Sequence, residues 1–323
     1  MKYIHATLAC LLALSVAACG GERTPEATES GPYKGGRLSI ATGNTTGVYY
    51  QLGGGLADLI GKNLTGYQAT AEATGASVEN IQRVVRGDSD IAFTLADAAG
   101  DAATGKGAFT APQPVRAIAR IYTNYTHVIA RSDAGIATVA DMKGKRISTG
   151  SPNSGTENIA LRLLKAAGLD PAADIKKQAL SLPETVQGMK DGNIDALFWS
   201  GGLPTGGITD LTTSMKDKVV FVPLADLLPK MQSEFGQVYQ PISLKKEVYK
   251  TAADVPTIAV PNMLVVSDKM PDKLAHDLAK LIFDNLETLG KVHPEAKNIQ
   301  KDVANKTEPV VLHPGAKSYF EKG

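Results

Sequence analysis

The residues best placed to do chemistry in this chain are small and uncharged, and they lie in two loops that each lead into a helix-like segment. The first loop carries Gly43, Asn44, Thr45 and Gly47, and the second spans residues 151–154 with a serine at either end. The first N–H groups of a helix have no partner within the helix, and the helix dipole places positive charge beside them. Such loops bind a carboxylate or another anion without any charged side chain.

A strand pattern precedes each loop and a helix pattern follows it. Residues 38–41 are suited to a short strand, and apolar residues then recur at helical spacing over residues 49–60. Residues 146–149 repeat the strand pattern before the second loop. Ser154 and Glu157 form the Ser-x-x-Glu pattern of a capping box, which predicts the start of a second helix.

Each unit continues with a second matching piece. A helix pattern ends at Gly87 before a strand over residues 90–93, and another ends at Gly192 before a strand over residues 195–198. Gly168 supplies the end of the helix that follows the second loop. We therefore predict two similar α/β lobes, each presenting a helix N-terminus to a shared cleft. Two unrelated strand–helix segments are the alternative, because such units are common.

Length, composition and charge fit a two-lobed protein. The chain has 323 residues, of which 43% are apolar, and this is enough for a large core. Its formal net charge is +1, from 34 basic and 33 acidic residues, without a basic block. No nucleic-acid partner is therefore expected. After the N-terminal segment, no apolar run reaches the length of a membrane span.

The N-terminus has the pattern of a lipoprotein signal peptide over residues 1–18. A lysine and a histidine precede an apolar run, residues 6–18, that is too short to cross a bilayer. The sequence VAACG at residues 16–20 resembles a bacterial lipobox, which predicts lipidation of Cys19 and attachment to a membrane through that lipid. Ordinary signal cleavage near Ala18 is the alternative.

Residues 19–35 predict a flexible tether, because Glu, Thr, Ser, Pro and Gly dominate there. Both cysteines, Cys10 and Cys19, precede the body of the protein, which is therefore expected to have neither a disulfide nor a reactive thiolate. We expect an extracytoplasmic protein that is held at the membrane by its lipid and stabilised by its core alone.

Catalytic and metal-binding patterns do not stand out in the body. His127, His276, His293 and His313 are not spaced as metal ligands, and neither a Gly-x-Ser-x-Gly elbow nor a Walker loop occurs. We therefore expect no enzymatic activity, no cofactor and no metal, and we expect His127 to pack within a strand. Trp199, the single tryptophan, ends a strand and either caps the core or forms a wall of the cleft.

Several segments of the body together carry a family resemblance that covers nearly everything after the tether. They are residues 38–60, 75–80, 87–93 and 154–157, with KDGNIDALF at 190–198, GGLP at 201–204 and HPGAKSYF at 313–320. In their order and spacing these segments resemble the TAXI family of solute receptors. Members of that family serve TRAP (tripartite ATP-independent periplasmic) transporters.

The resemblance implies an α/β type II periplasmic-binding-protein fold, with two lobes, a hinge that is crossed twice and a ligand clamped in the cleft between the lobes. Lobe 1 would comprise residues 36–126 and 268–323, and lobe 2 would comprise residues 127–267. The resemblance also implies capture of a small anionic solute, a glutamate-like or 2-oxoglutarate-like acid, and its delivery to the membrane permease subunits of a TRAP transporter. We expect a monomer.

Carried over position by position, the resemblance implies ligand contacts from both lobes. The contacts would be Gly43, Asn44, Thr45, Gly47, Val48, Tyr49, Ser77 and Thr94 in lobe 1, and Ser151, Ser154, Gly155, Thr156, Trp199 and Gly201 in lobe 2. Gly47 is expected to permit either close approach of the ligand or an unusual backbone angle. Arg120 is the one cation considered for a salt bridge, and a solvated strand-edge position is its alternative. The family often carries Gln-x-Asp where this chain has Leu95 and Asp97, so the usual ligand does not carry over.

Two other functions remain open. One is an extracytoplasmic enzyme on the same fold, and the other is a sensory receptor that feeds a membrane kinase. Helix-start anion sites without a nucleophile or a catalytic base favour a binding protein over an enzyme. The sequence does not separate transport from sensing.

Overall fold

A computed structural model describes residues 35–322 of the chain. The predicted signal peptide, the lipidation of Cys19 and all but the last residue of the predicted tether lie outside the described residues. Within residues 35–322, none of the helices combines the length and the apolar character that crossing a membrane requires.

Ten strands form one continuous sheet. In chain order they are β1 (Gly36–Ala41), β2 (Tyr67–Glu72), β3 (Ile91–Leu95), β4 (Val115–Arg131), β5 (Arg146–Ser148), β6 (Lys176–Gln178), β7 (Ala196–Gly201), β8 (Val219–Phe221), β9 (Gln240–Leu244) and β10 (Val255–Ser267).

Helices cover both faces of the sheet. They are α1 (Val48–Asn63), α2 (Ser77–Arg86), α3 (Ala96–Thr104), α4 (Gly155–Ala166), α5 (Leu182–Lys190), α6 (Gly206–Met215), α7 (Leu228–Phe235), α8 (Lys246–Tyr249), α9 (Asp272–Asp284), α10 (Leu286–Val292), α11 (Lys301–Ala304) and α12 (Pro314–Lys322). Short 3-10 helices occur at Val139–Met142, Lys216–Lys218, Ala225–Leu227 and Pro294–Asn298.

The same motif occurs twice along the chain. The first copy runs β1–α1–β2–α2–β3, and its strands lie side by side in the order β2-β1-β3. The second copy runs β5–α4–β6–α5–β7, with the strands in the order β6-β5-β7. In both copies the central strand is parallel to its two neighbours. The two similar lobes that the sequence predicts are therefore present.

Two long antiparallel strands, β4 and β10, join the lobes. The first part of β4 pairs with β10 over residues 115–125, and its last part, residues 125–130, pairs with β7 of the second lobe. The first part of β10 pairs with β9, whereas residues 262–266 pair with β3 of the first lobe. The chain thus crosses twice between the lobes. The second half of β10 lies with the first lobe, although the sequence places residues up to 267 in the second.

Three apolar clusters hold the fold together. One packs α1, α9, α10 and α12 on one face of the first lobe, and one packs α5 and α6 on the second lobe. The third runs beneath both lobes and includes buried residues of α2, α3 and α4. Gly87 and Gly168 follow the ends of α2 and α4 with φ of 79° and 83°, a left-handed conformation that glycine adopts without strain. The helix ends predicted at these glycines are confirmed.

Candidate functional site

A cavity lies between the two lobes, where the loops of both repeats meet. The cavity is small, with a volume of about 30 Å³. Its lining comprises Gly43, Asn44, Gly47, Val48, Tyr49, Gly75, Ala76, Ser77, Leu95, Tyr122, Asn124, Ser151, Ser154, Gly155, Thr156, Trp199, Ser200, Gly201 and Gly202.

Three helices begin at this cavity: α1 and α2 from the first lobe and α4 from the second. The residues that precede α1 and α2 are Gly47 and Ala76, and neither provides a side-chain hydrogen bond to its helix. At α4, the Ser154 Oγ accepts a hydrogen bond from the Glu157 N–H at 2.9 Å, while the earlier N–H groups of Gly155 and Thr156 remain at the cavity. The cavity therefore receives N–H donors and positive dipole ends from both lobes.

The start of α4 is capped on one side only. The carboxylate of Glu157 accepts a hydrogen bond from the Asn153 N–H at 2.9 Å and forms an ion pair with Lys177 at 2.7 Å. The carboxylate does not accept a hydrogen bond from the Ser154 N–H, which donates to the Ser151 carbonyl instead. The second hydrogen bond of the capping box expected from the sequence is therefore absent, and that part of the prediction is wrong. The cap by Ser154 itself is present.

The helix that corresponds to α2 in the second lobe differs from it. A capping box of Ser181 and Glu184 closes the start of α5, and the Leu182 N–H donates to the Asn44 Oδ1 at 2.9 Å. The first N–H groups of α5 are thus satisfied by protein atoms. By contrast, α2 begins at the lining residues Ala76 and Ser77 without a side-chain cap.

Backbone strain is stored where α2 meets the cavity. Ala76 has φ of 87° and ψ of −151°, a region that glycine enters readily and that costs other residues about 1–3 kcal/mol. Local hydrogen bonds hold this geometry, because the Ala76 N–H donates to Thr74 Oγ1 at 3.1 Å and its carbonyl accepts from the Asn80 N–H at 3.0 Å. Such strain is typical of ligand-binding loops.

Gly47 and Gly155 allow the lobes to approach closely. Gly47 has an ordinary φ of −95°, so its expected unusual backbone angle is wrong. A Cβ there would lie 3.2 Å from the Asn44 carbonyl oxygen and 3.6 Å from the Trp199 ring of the opposite lobe. A Cβ on Gly155 would lie 2.5 Å from both Leu95 Cδ1 and Ser77 Oγ. Both positions are crowded by residues across the cleft.

Direct hydrogen bonds also join the lobes beside the cavity. The Glu79 N–H at the start of α2 donates to the Asn153 carbonyl at 3.0 Å. Asn44, which accepts from Leu182 through its side-chain oxygen, places its amide nitrogen 3.5 Å from Ser151 Oγ. The described conformation is therefore one in which the two lobes are in contact around the cavity.

Aromatic and amide side chains form the inner wall. The Tyr49 hydroxyl donates to Asn262 Oδ1, and burial raises the pKa of Tyr49 well above its ordinary value. The Asn262 amide nitrogen donates to the Tyr122 carbonyl at 3.0 Å and to Asn124 Oδ1 at 2.8 Å. On the second lobe, Trp199 Nε1 donates to Thr205 Oγ1 at 3.0 Å. These bonds fix the wall and occupy its polar atoms.

Tyr122 is the exception in this wall. It lies in β4, its side chain is 1% exposed, and its hydroxyl has no hydrogen-bond partner among the described residues. Burial raises the pKa of Tyr122 well above its ordinary value, so the hydroxyl keeps its proton and can donate. A buried hydroxyl without a partner is unfavourable, and a ligand oxygen would relieve it.

The described lining contains no Asp, Glu, Lys, Arg or His. Among residues 35–322 there is also no group of three or more His, Cys, Asp or Glu side chains that could hold a metal ion. His127 is fully buried against Phe221 and Tyr249, away from the lining, and burial lowers its pKa to about 4. The described side chains that line the cavity are therefore uncharged, and the helix N-termini give the cavity a positive electrostatic potential.

Most of the predicted contact residues lie in this lining. They are Gly43, Asn44, Gly47, Val48, Tyr49, Ser77, Ser151, Ser154, Gly155, Thr156, Trp199 and Gly201. Thr45, Thr94 and Arg120 are not among the lining residues. Thr45 is exposed, Thr94 is buried with its hydroxyl 3.2 Å from the Leu95 carbonyl, and half-buried Arg120 lies in β4 opposite Met263. Contact of these three positions with the ligand stays a prediction.

Sequence reasoning missed Gly75, Ala76, Leu95, Tyr122, Asn124, Ser200 and Gly202 as lining residues. Leu95 drew attention only as a departure from the family pattern. Tyr122 and Asn124 lie just before the predicted lobe boundary at residues 126–127, and that position is a signal that they face the cleft. Ser200 and Gly202 adjoin Trp199 and Gly201 in the chain.

Comparisons with known proteins agree with this architecture. The model of the NMT1-like family matches residues 40–323. MatC from Rhodopseudomonas palustris with bound malate superposes with a TM-score of 0.54 at 12% identity, over 89% of this chain and 97% of that chain. The binding protein component of an ABC phosphonate transporter from Pseudomonas aeruginosa superposes with a TM-score of 0.53 at 14% identity, over 81% of this chain and 79% of that chain. These matches show the fold, and the expected two-lobed α/β periplasmic-binding-protein fold is confirmed.

Proposed function

The chain belongs to the NMT1-like family, and from this premise we propose that it is an extracytoplasmic solute-binding lipoprotein. It captures a small organic anion, a carboxylate of glutamate-like or 2-oxoglutarate-like size, and delivers it to the permease of a TRAP-type secondary transporter. The protein binds its ligand without converting it.

One observation carries the proposal of an anionic ligand. The starts of α1, α2 and α4 converge on a cavity whose lining has no charged side chain. N–H donors and positive dipole ends stabilise a carboxylate, whereas they repel a cation. Because the donors come from both lobes, an anion that reaches them joins the lobes and favours the closed conformation.

Two further observations support this ligand class. MatC was solved with malate, and the Pseudomonas aeruginosa protein belongs to a phosphonate transporter, so both related folds are associated with anions. The unpartnered hydroxyl of Tyr122 adds a neutral donor to the same cavity. The small free space favours a compact acid over a sugar or a peptide.

Calorimetric titration and thermal unfolding with C4 to C6 mono- and dicarboxylates test the ligand class. An acid present at about 100 times its Kd should add roughly 2.7 kcal/mol to the free energy of unfolding. Sugars and cationic amines serve as the negative set. Stabilisation by members of that set, with no response to any acid, would contradict the proposal.

The proposal that the protein does not convert its ligand is tested on the same samples. The lining offers neither a carboxylate nor an imidazole as a general base, and it has no thiol nucleophile. A bound acid should therefore be recovered unchanged after prolonged incubation with the purified protein, as followed by proton NMR. Conversion in the absence of permease would favour an extracytoplasmic enzyme.

The TRAP partner rests on the resemblance described above, and uptake into vesicles tests it. Vesicles with the cognate permease should accumulate the acid when the protein and an ion gradient are present, without ATP. A requirement for ATP would point to an ABC transporter instead. Binding without uptake, together with activation of a membrane kinase, would favour the sensory alternative.

Membrane attachment and location are tested at Cys19. The Cys19→Ser protein should leave the membrane fraction while its affinity for the acid stays the same, because the lipid site precedes the folded body. Retention of the variant on membranes after a high-salt wash would exclude the lipid anchor.

A further inference from the structure

We propose that the cleft selects an acid carrying an uncharged hydrogen-bond acceptor, such as a 2-oxo oxygen, which the Tyr122 hydroxyl binds, and that it rejects the amino acid with the same carbon skeleton. This inference rests on the proposed function, since it refines the class of acid that the same site accepts. It assigns to Tyr122 a role in specificity that the sequence did not suggest.

Among the described lining residues, Tyr122 has a buried side-chain hydroxyl without any hydrogen-bond partner. Its ring lies behind Gly202, where a Cβ would approach the ring to 2.8 Å, and its centroid is 6.5 Å from that of Tyr49. Among the described residues no atom accepts its hydroxyl proton, although the side chain is 1% exposed. The hydroxyl is thus buried in a lining residue and lacks a partner, which an oxygen of the ligand would supply.

The neighbouring polar side chains already form hydrogen bonds within the protein. The Tyr49 hydroxyl donates to Asn262, and Asn124 accepts from the Asn262 amide at 2.8 Å while its own amide lies 3.5 Å from Ser200 Oγ. Thr46 also has an unpartnered buried hydroxyl, but it is not among the lining residues. Of the described lining residues, Tyr122 alone has a buried side-chain polar atom without a partner.

An ammonium group, in contrast, would find no carboxylate in the lining. Acidic groups that neighbour the lining are already engaged. The Glu79 carboxylate accepts from the Gly75 N–H at 2.8 Å, and Glu295 accepts from the Leu203 N–H and from the Asn298 amide. Asp97 accepts from the Tyr239 hydroxyl at 2.8 Å and from the Asn158 amide at 3.0 Å. Burying an ammonium beside three positive helix ends, without a paired charge, is strongly unfavourable.

Isothermal titration with matched acids tests the inference. One set is 4-methyl-2-oxopentanoate, 4-methylpentanoate and L-leucine, and the other is 2-oxoglutarate, glutarate and L-glutamate. Within the set that binds, the oxo acid should bind at least about tenfold more tightly than the unsubstituted acid, and more tightly still than the amino acid. An amino acid that binds as tightly as its oxo acid would overturn the inference.

Tyr122→Phe isolates the hydroxyl. The variant should lose about tenfold in affinity for the oxo acid and retain the parent affinity for the unsubstituted acid. Its thermal midpoint without ligand should not fall, because the hydroxyl has no partner within the described protein. Tyr125→Phe, in the same strand but outside the lining, is the matched control and should leave both affinities unchanged.

The outcomes separate this inference from the proposed function. If Tyr122→Phe binds the oxo acid as tightly as the parent does, the role of Tyr122 is refuted while anion binding stands. If acids bind but the amino acid is preferred, only the selectivity is refuted. If the parent protein binds no acid from either set, both proposals fail together.

Discussion

Two regions join the lobes, and they do so by opposite means. The cleft uses backbone N–H groups, hydroxyls and aromatic walls, and its described lining contains no charged side chain. About two turns further along α4 lies a second contact, here called the rim cluster, in which charged groups are buried. The rim cluster consists of Asp97 and Asp101 from α3, Asn158 and Arg162 from α4, and Tyr239.

The rim cluster satisfies its own polar groups. The guanidinium of Arg162 contacts Asp101, lies 3.6 Å from Asp97 and donates to the Tyr239 hydroxyl at 2.9 Å. Burial opposes its charge, but Tyr239 and Asp97 raise the pKa of Arg162 above its ordinary value. The Phe235 ring lies 4.7 Å from the guanidinium carbon. In this region the guanidinium and both carboxylates have partners within the protein.

The two regions differ in how they contribute to contact between the lobes. The rim cluster contributes to lobe contact without a ligand, because its donors and acceptors meet one another. The cleft keeps donors unmatched, above all the helix starts and the Tyr122 hydroxyl. Under the proposed function, its contribution to closure therefore depends on the ligand. Substitutions should therefore separate effects on stability from effects on ligand affinity.

Removing the cation from the rim cluster should have the largest effect. Arg162→Met leaves Asp97 and Asp101 without their buried counter-charge and should lower the free energy of unfolding by about 3–5 kcal/mol. Chemical denaturation measures the loss. Arg86→Ala removes an exposed arginine that pairs with Asp88, and as the control it should cost at most about 1 kcal/mol. Equal stability of the two variants would show that the rim cluster contributes nothing.

The pH response should distinguish the stability of the protein from its affinity. His127 in β4 is buried and neutral, with its pKa lowered to about 4, whereas the unfolded chain takes up that proton near pH 6.5. Acidification from about pH 7 to pH 4 therefore favours the unfolded state and should remove roughly 3 kcal/mol of stability through this group.

The His127→Asn variant should lack the part of the loss that is due to His127. Subtracting its curve of stability against pH from that of the parent removes the contributions of the other titrating groups. The described residues that line the cleft include no Asp, Glu, Lys, Arg or His. The affinity for a fully ionised acid should consequently stay flat while the parent remains folded. An affinity that changes with the stability would contradict the separation of the two regions.

Filling the cleft at Gly155 should weaken ligand binding strongly, with less effect on folding stability. The Cβ of Gly155→Val would meet Leu95 and Ser77 at 2.5 Å and hold the lobes apart, so we expect about a 100-fold loss of affinity, which corresponds to roughly 2.7 kcal/mol. Gly54→Val is the matched control, since its Cβ would have no heavy atom within 4 Å. Unchanged binding by Gly155→Val would show that closure at α4 is not required.

The smallest effect is expected at the cap of α4. Ser154→Ala removes the hydrogen bond from the Glu157 N–H and should reduce stability by about 1 kcal/mol. Any further loss of ligand affinity measures a direct bond between the Ser154 hydroxyl and the ligand. A variant as stable as the parent would mean that Glu157 and Lys177 suffice to hold the helix start.

Local patterns predicted the helix starts and ends because the atoms involved are close in the sequence. Ser154 caps α4 through a residue three positions later, and Gly87 and Gly168 end helices by adopting a left-handed conformation. The repeated strand–loop–helix order predicted both lobes for the same reason. The capping box shows where local patterns fail. The Glu157 carboxylate binds the Asn153 N–H and Lys177, and it does not bind the Ser154 N–H as the pattern predicted.

The sequence by itself therefore determined the two lobes, the glycine and hydroxyl loops and the helix starts that make the cleft suitable for an anion. Only the tertiary structure decided which residues line it, replacing Thr45, Thr94 and Arg120 with residues such as Leu95 and Tyr122. It also decided the rim cluster, where Tyr239 reaches Asp97 across 142 positions of the chain. Such contacts depend on how separate strands and helices are brought together, and no local pattern of residues records that packing.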